Sequence, residues 1–256
     1  MPTLKFRGPV TPTGHRIELS EPLVTTVRGA NWPTQTYAVT VYDGLVAVTC
    51  NMNGYSEKKH LGMAINRSQL FGQSFLNMTS FVTGTPYRFM IDEGKIPGSV
   101  DDKWQRLAPE HRYLAEICTV AKVGDRSISE LYNLIVTEPN LILACDDMIR
   151  ALENVFIAKV NCARVIDGLK NILSPGTNRS KQWETLRISL NLGREYIEFV
   201  MKESKHPRHG SHVSDKSEPA HEVIYRTWII MNRFLELKKR GIEKLPDEEF
   251  PLITSR

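Results

Sequence analysis

Two alternating runs separated by a two-residue break constrain this chain more than any other feature: Thr36-Tyr-Ala-Val-Thr-Val-Tyr42, then Asp43-Gly44, then Leu45-Val-Ala-Val-Thr-Cys-Asn51. Side chains alternate across a strand, and β-branched and aromatic residues suit a pleated, half-buried surface. A two-residue connection needs positive φ, which glycine adopts at no steric cost. The spacing therefore predicts an antiparallel hairpin, and with it a sheet in the N-terminal half. Residues 15–19 and 23–27 read as further strands, interrupted by Pro9, Pro12, Pro22 and Pro33, which cannot donate to a ladder.

The period changes after Tyr55. Leu61, Ala64, Leu70, Phe71, Phe75, Met78, Phe81 and Val82 recur at helical spacing, with Ser56 at the N-cap and Gly84 as the stop. This predicts one long helix packed across the sheet. Residues 87–91 read as a strand returning alongside the hairpin, 92–103 as a loop, and 104–112 as a short irregular helix over an edge. No phosphate loop, catalytic carboxylate pair or nucleophile elbow occurs in this half.

Ser127-Ile-Ser-Glu130 has capping-box spacing and opens a helical half. A short helix over 131–136 ends before Pro139, and one long helix is expected over 140–173, whose Asp146, Asp147 and Glu153 form a solvated acidic stripe or else a buried partner for Arg208. Ser174-Pro-Gly-Thr177 is a turn, and helical patterns resume over 181–190 and 194–203 with a break at Asn191-Leu-Gly193. The last helix starts at Ser217-Glu-Pro-Ala, buries Val223, Ile224, Trp228, Met231, Phe234 and Leu235, and stops at Lys238-Lys-Arg-Gly241. Basic residues there suit the negative end of the helix dipole without any ligand. The tail over 243–256 is expected as a docked arm or an unstructured end. The expected fold class is thus α+β: an N-terminal antiparallel sheet with a packed helix over residues 1–126, then a helical bundle over 127–256.

A chain of 256 residues, 41% hydrophobic and 24% charged, has the composition of a globular protein. No apolar run approaches the roughly 20 residues that span a bilayer, and the N-terminus lacks the apolar core of a secretory signal, so a cytoplasmic protein without membrane partners is expected. Cys50, Cys118, Cys145 and Cys162 stand apart in apolar surroundings, which predicts reduced core thiols rather than a disulfide or zinc framework. A net charge of +4 does not by itself identify a nucleic-acid binder.

Chemistry concentrates in one place. Four of the seven histidines fall between His206 and His221, in and beyond Lys202-Glu-Ser-Lys-His-Pro-Arg-His-Gly-Ser-His212. Imidazole moves protons near neutral pH, and guanidinium grips phosphate oxygens. Pro207 and Gly210 disfavour a helix and predict a loop. His206, His209 and His212, spaced by three, could with Asp215 offer zinc or nickel a donor set, but the spacing matches no strong metal signature, and no metal or cofactor is expected. Arg226 and Arg233 lie seven apart on nearly one helical face, either as a basic groove or as partners of Glu222 and Glu236. His221 reads as an exposed or partly packed residue of the last helix, and Trp183 and Trp228 as core residues.

A long helix, a Pro-Gly turn, two further helical segments, a loop containing Arg208-His-Gly210 and a final amphipathic helix together resemble the HEPN superfamily of helical bundles. The resemblance covers roughly residues 140–240. It implies an HEPN-like module, with ribonuclease members that cut RNA without a metal, commonly as homodimers, in defence or toxin systems. Those members carry an Arg, four to six intervening residues and a His; Arg208 and His212 are separated by three, and taking His209 instead places Lys202, Glu203 or Ser204 at the Arg position. Under the resemblance, His209 or His212 would transfer protons, Arg208 would hold phosphate oxygens, and Lys202, Lys205 and Arg226 would contact RNA. RNA supplies its own 2′-hydroxyl nucleophile, so general acid–base and electrostatic groups suffice. The shortened spacing leaves open a second class, a non-catalytic module that binds nucleic acid or protein.

Overall fold

The computed structural model describes residues 1–14, 17–29, 32–98, 103–107, 111–122, 124–208 and 217–254. The chain divides into two compact units, Met1–Glu110 and His111–Arg256.

The first unit is built on an antiparallel sheet. Strand β1 (Thr3–Thr11) is central, and β2 (Leu23–Gly29), β3 (Trp32–Tyr42) and β4 (Leu45–Met52) extend the sheet to one side in the order β2-β3-β4-β1. The predicted hairpin forms as read: Tyr42 pairs with Leu45, and Asp43 and Gly44 take φ of 48° and 71°. Alternation puts one row of side chains inside. Leu4, Cys50 and Tyr37 align across three strands, as do Phe6, Val48 and Val39, all buried. The strand expected over 15–19 does not form at its described residues, Ile17, Glu18 and Leu19. Strand β1 forms in the N-terminal β region upstream of the strands singled out, where prolines at 9 and 12 interrupt the pattern.

Helix α1 (Glu57–Thr83) packs on this buried face through Ala64, Arg67, Ser68, Gly72 and Leu76. Ser56 occupies the N-cap position, and Gly84, at φ 69°, ends the helix by donating its N–H to Ser80 O at 2.8 Å. Gly72 marks the closest approach, since a Cβ there would stand 2.5 Å from the Phe89 ring. Beneath the helix Arg67 and Tyr37 both donate to Gln35 Oε1, at 2.9 and 2.5 Å, which satisfies a buried polar cluster.

The expected strand over 87–91 is cut down to β5 (Arg88–Phe89), paired with β1 rather than with the hairpin. The reason is competition for its backbone. Gln69 and Gln73 of α1 accept from Ile91 N and Phe89 N and donate to Phe89 O and Tyr87 O, at 2.7–3.1 Å. Strand β6 (Glu93–Lys95) pairs with β1 and β7 (Gln105–Arg106) with β6. Trp104 thus precedes a strand instead of opening a helix, its ring 4.1 Å from the Arg7 guanidinium.

The second unit is helical: α2 (Arg112–Glu116), α3 (Ser127–Val136), α4 (Pro139–Glu153), α5 (Val155–Leu173), α6 (Arg179–Ser189), α7 (Arg194–Arg208) and α8 (Ser217–Arg240). The expected helix over 140–173 is two helices. Asn154, extended at φ −140° and ψ 98°, ends α4 and caps α5 by accepting from Phe156 N, so the pair folds back as a hairpin with Gly168 near Asn140. Helix α5 is buried along Ala158, Cys162, Ala163, Val165, Ile166 and Leu169, and forms the axis of this unit. The capping box at Ser127 does not form; Ser127 Oγ instead accepts from Lys122 N. Residues 111–126, expected with the first domain, join the helices: Leu114 and Val120 enter their core, and Thr119 and Val120 donate to Asn232 Oδ1.

The C-terminal tail docks. At the α6–α7 corner Asn191 adopts φ 52°, and its Nδ2 donates to Leu245 O and Phe250 O at 3.0 and 2.8 Å. Arg233, 6% exposed, donates to Leu190 O, Asn191 O and Pro251 O at 2.8–2.9 Å. Its expected partner Glu236 instead accepts from Thr119 and Arg240.

Among the described residues, no helix is long and apolar enough to cross a membrane. All four cysteines are free, as expected. Cys50 and Cys162 are fully buried, and burial pushes the Cys162 thiol up to about 12 and that of Cys145 up to about 11.

Candidate functional site

The basic, histidine-rich segment connects α7 to α8. Helix α7 is amphipathic: Tyr196, Ile197, Val200 and Ser204 are buried, while Lys202 and Lys205 are exposed. The helix runs farther than Pro207 suggested and ends at Arg208, because Ser204, fully buried, and Val200 keep its last turns packed. Residues 209–216, including His209 and His212, lie outside the described residues. Helix α8 resumes at Ser217. Among the described residues no group of three His, Cys, Asp or Glu could hold a metal ion.

Arg226 is placed differently from Lys202 and Lys205. It is 7% exposed, its Nε donates to Glu222 Oε1 at 2.6 Å, and its guanidinium stacks 4.1 Å from the Phe199 ring and 4.9 Å from that of Tyr196. It therefore packs α8 against α7, while Lys202 and Lys205 of α7 are exposed. Glu203 pairs with Lys159 of α5 at 2.8 Å. The acidic stripe on α4 also resolves: Asp147 is buried against Arg164 at 3.0 Å, while Asp146 holds the exposed Arg150. Burial raises the Asp147 carboxyl above its ordinary range, against the pull of Arg164.

At the α8 side stands a group that sequence reasoning missed. His111, at the start of α2, has a buried Nε2 with no hydrogen-bond partner among the described residues. Burial, helped by the charge of His221, pushes its pKa down. Its ring meets Tyr113 edge-on at 6.0 Å, and Tyr113 stacks on Tyr225 of α8 at 6.5 Å. His221, expected as an ordinary helical residue, is exposed. No local pattern could flag His111, which reaches α8 only through the tertiary fold.

On the other side of α7, helices α6 and α7 diverge from the Asn191 corner and enclose a groove of about 560 Å³. Arg179, Ser180, Trp183, Glu184 and Arg187 line it from α6; Arg194, Ile197, Glu198 and Met201 line it from α7. The α7 residues form one stripe at helical spacing, which Lys205 continues four residues beyond Met201. Lys205 thus lies on the groove's face of α7. Trp183, expected in the core, is half-buried: it packs against the helical core and lines the groove, with the Lys170 ammonium 4.7 Å from its ring centroid.

Residues 128–239 match a family described as Domain of unknown function (DUF8168) C-terminal domain. The matched span coincides with α3 through α8. No curated protein and no solved structure matches the chain.

Proposed function

We propose that the helical unit is an HEPN-like module that binds single-stranded RNA along α7 and the connection to α8. The observation that carries this reading is the exposure of Lys202 and Lys205 on the last turns of α7, where the helix delivers the chain to the Arg-His segment. Ammonium groups held on a helix contact phosphates without sequence preference, and each contact releases counterions. The order α6, α7, basic segment and α8 is that of the resemblance, whereas its single long helix is here the α4–α5 hairpin.

Metal-independent cleavage is the second reading, favoured by the sequence proximity of Arg208, at the end of α7, to His209 and His212. Arg208 would neutralise the phosphorane, and the two imidazoles would serve as base for the 2′-hydroxyl and acid for the leaving 5′-oxygen. A homodimer about this segment would let two chains share those roles.

The test is incubation of labelled single-stranded RNA with the full chain in excess chelator, at several salt concentrations. Binding should weaken with salt and fall in Lys202→Ala and Lys205→Ala. Cyclic-phosphate products lost in Arg208→Ala and in His209→Ala or His212→Ala would establish cleavage, and sedimentation would report the dimer. An absence of RNA binding by the wild type at low salt would end the proposal.

A further inference from the structure

The groove between α6 and α7 has a composition that a packing defect would not explain. It holds three guanidiniums against two carboxylates. Arg194 is committed to Glu198, Nε to Oε1 at 2.6 Å, whereas Arg179 makes no ion pair among the described residues. Arg187 Nε is buried with no acceptor among the described residues. A buried donor left unmade costs free energy, so a partner that supplies the acceptor is favoured. The apolar part of the lining is an aromatic ring beside two flexible or branched side chains: Trp183, Ile197 and Met201.

Cations beside a half-buried aromatic ring recognise an anion joined to a planar ring. The size falls in the range of small-ligand sites, roughly 300–1,000 Å³. Stacking of a base on tryptophan and phosphate capture by arginine are individually strong and mutually independent contacts.

We propose that this groove is a one-nucleotide subsite, taking an unstacked base against Trp183 and its phosphate at Arg187 and Arg179. The identity of the ligand as part of an RNA strand rests on the function proposed above, because the groove's α7 stripe runs on to Lys205. The corner that sets the groove's angle is pinned by backbone hydrogen bonds: Leu192 N donates to Arg187 O at 2.9 Å, and Gly193 N to Ile253 O at 2.7 Å. The subsite is therefore pre-formed, and binding need not order α6 or α7.

Calorimetric titration of the full chain with adenosine 5′-monophosphate, adenosine and inorganic phosphate tests the site. The monophosphate should bind at least tenfold more tightly than either fragment. Arg187→Gln, which removes the orphaned donor while leaving a polar chain, should reduce that affinity tenfold or more with the melting temperature unchanged or raised. Trp183→Leu should reduce it comparably, and Trp183→Phe, which keeps a ring and guards against loss of fold, should largely restore it. No binding of the monophosphate at millimolar concentration, or affinity unchanged in both Arg187→Gln and Trp183→Leu, would overturn the subsite. Phosphate binding as tightly as the nucleotide would overturn the base contact and with it the proposal. The two readings separate cleanly. Single-stranded RNA binding that depends on Lys202 and Lys205 but not on Arg187 or Trp183 sinks the subsite and leaves the proposed function standing. Monophosphate binding that depends on Arg187, with no binding of RNA, does the reverse.

Discussion

His111 shows what one residue's surroundings do to its chemistry. Burial and the nearby His221 favour the neutral imidazole, so the folded chain binds a proton less readily there than the unfolded chain. With the folded pKa below the unfolded value of about 6.5, stability from this group is fully present above that pH. It is lost as the pH falls through the unfolded value toward the folded one. Chemical unfolding between pH 7.5 and 5.0 should therefore show stability dropping with acid, and His111→Gln should flatten that drop. An equal slope in both proteins would remove His111 as its source. The same residue illustrates what sequence reading misses, since the residue types around position 111 say nothing about a neighbour on α8. Arg226 makes the converse point: helical spacing left both groove and ion pair open, and the structure buries it to 7% exposure with Glu222 at 2.6 Å.

At the scale of elements, breaks matter more than runs. The α4–α5 break at Asn154 is not legible locally because the apolar period continues through it, and one capping asparagine is a weak signal. The α6–α7 corner was legible in Asn191-Leu-Gly193, yet its clamp was not: the tail and Arg233 supply acceptors and donors from 42 to 59 residues away. Asn191→Ala removes two hydrogen bonds and places a side chain disfavoured at φ 52° in the corner, and should cost about 2–4 kcal/mol. Asn191→Gly relieves the backbone but not the bonds and should cost about half as much. Thermal or urea melts of the two variants measure the difference, and equal losses would place the whole effect in the hydrogen bonds.

Across the whole molecule, two separate cores imply two folding units. The sheet core of Leu4, Phe6, Tyr37, Val48 and Leu76 shares no member with the helical core of Leu114, Ile166, Leu169, Val223 and Phe234. A fragment of residues 111–256 should fold alone, with helical circular dichroism and a cooperative melt. One beginning at residue 127 should lose Leu114, Val120 and the Thr119 contacts to Asn232 and Glu236, and melt several degrees lower. Identical melting temperatures would show that residues 111–126 add nothing to the helical unit.

The chain's own pattern determined the α+β class, the hairpin at Asp43-Gly44, α1 with its Gly84 stop, the free cysteines and the ends of α8. All of these follow from local period, turn chemistry or composition, which act over a few residues. It also located the basic segment at the end of α7, because residue types are read directly. Only the tertiary structure decided that Gln69 and Gln73 take the backbone of 87–91 from the sheet, that His111 stands against α8, and that Trp183 and Arg187 face α7 across a groove. Those outcomes depend on which distant donor finds which acceptor, and on how two helices diverge from a corner pinned by the tail.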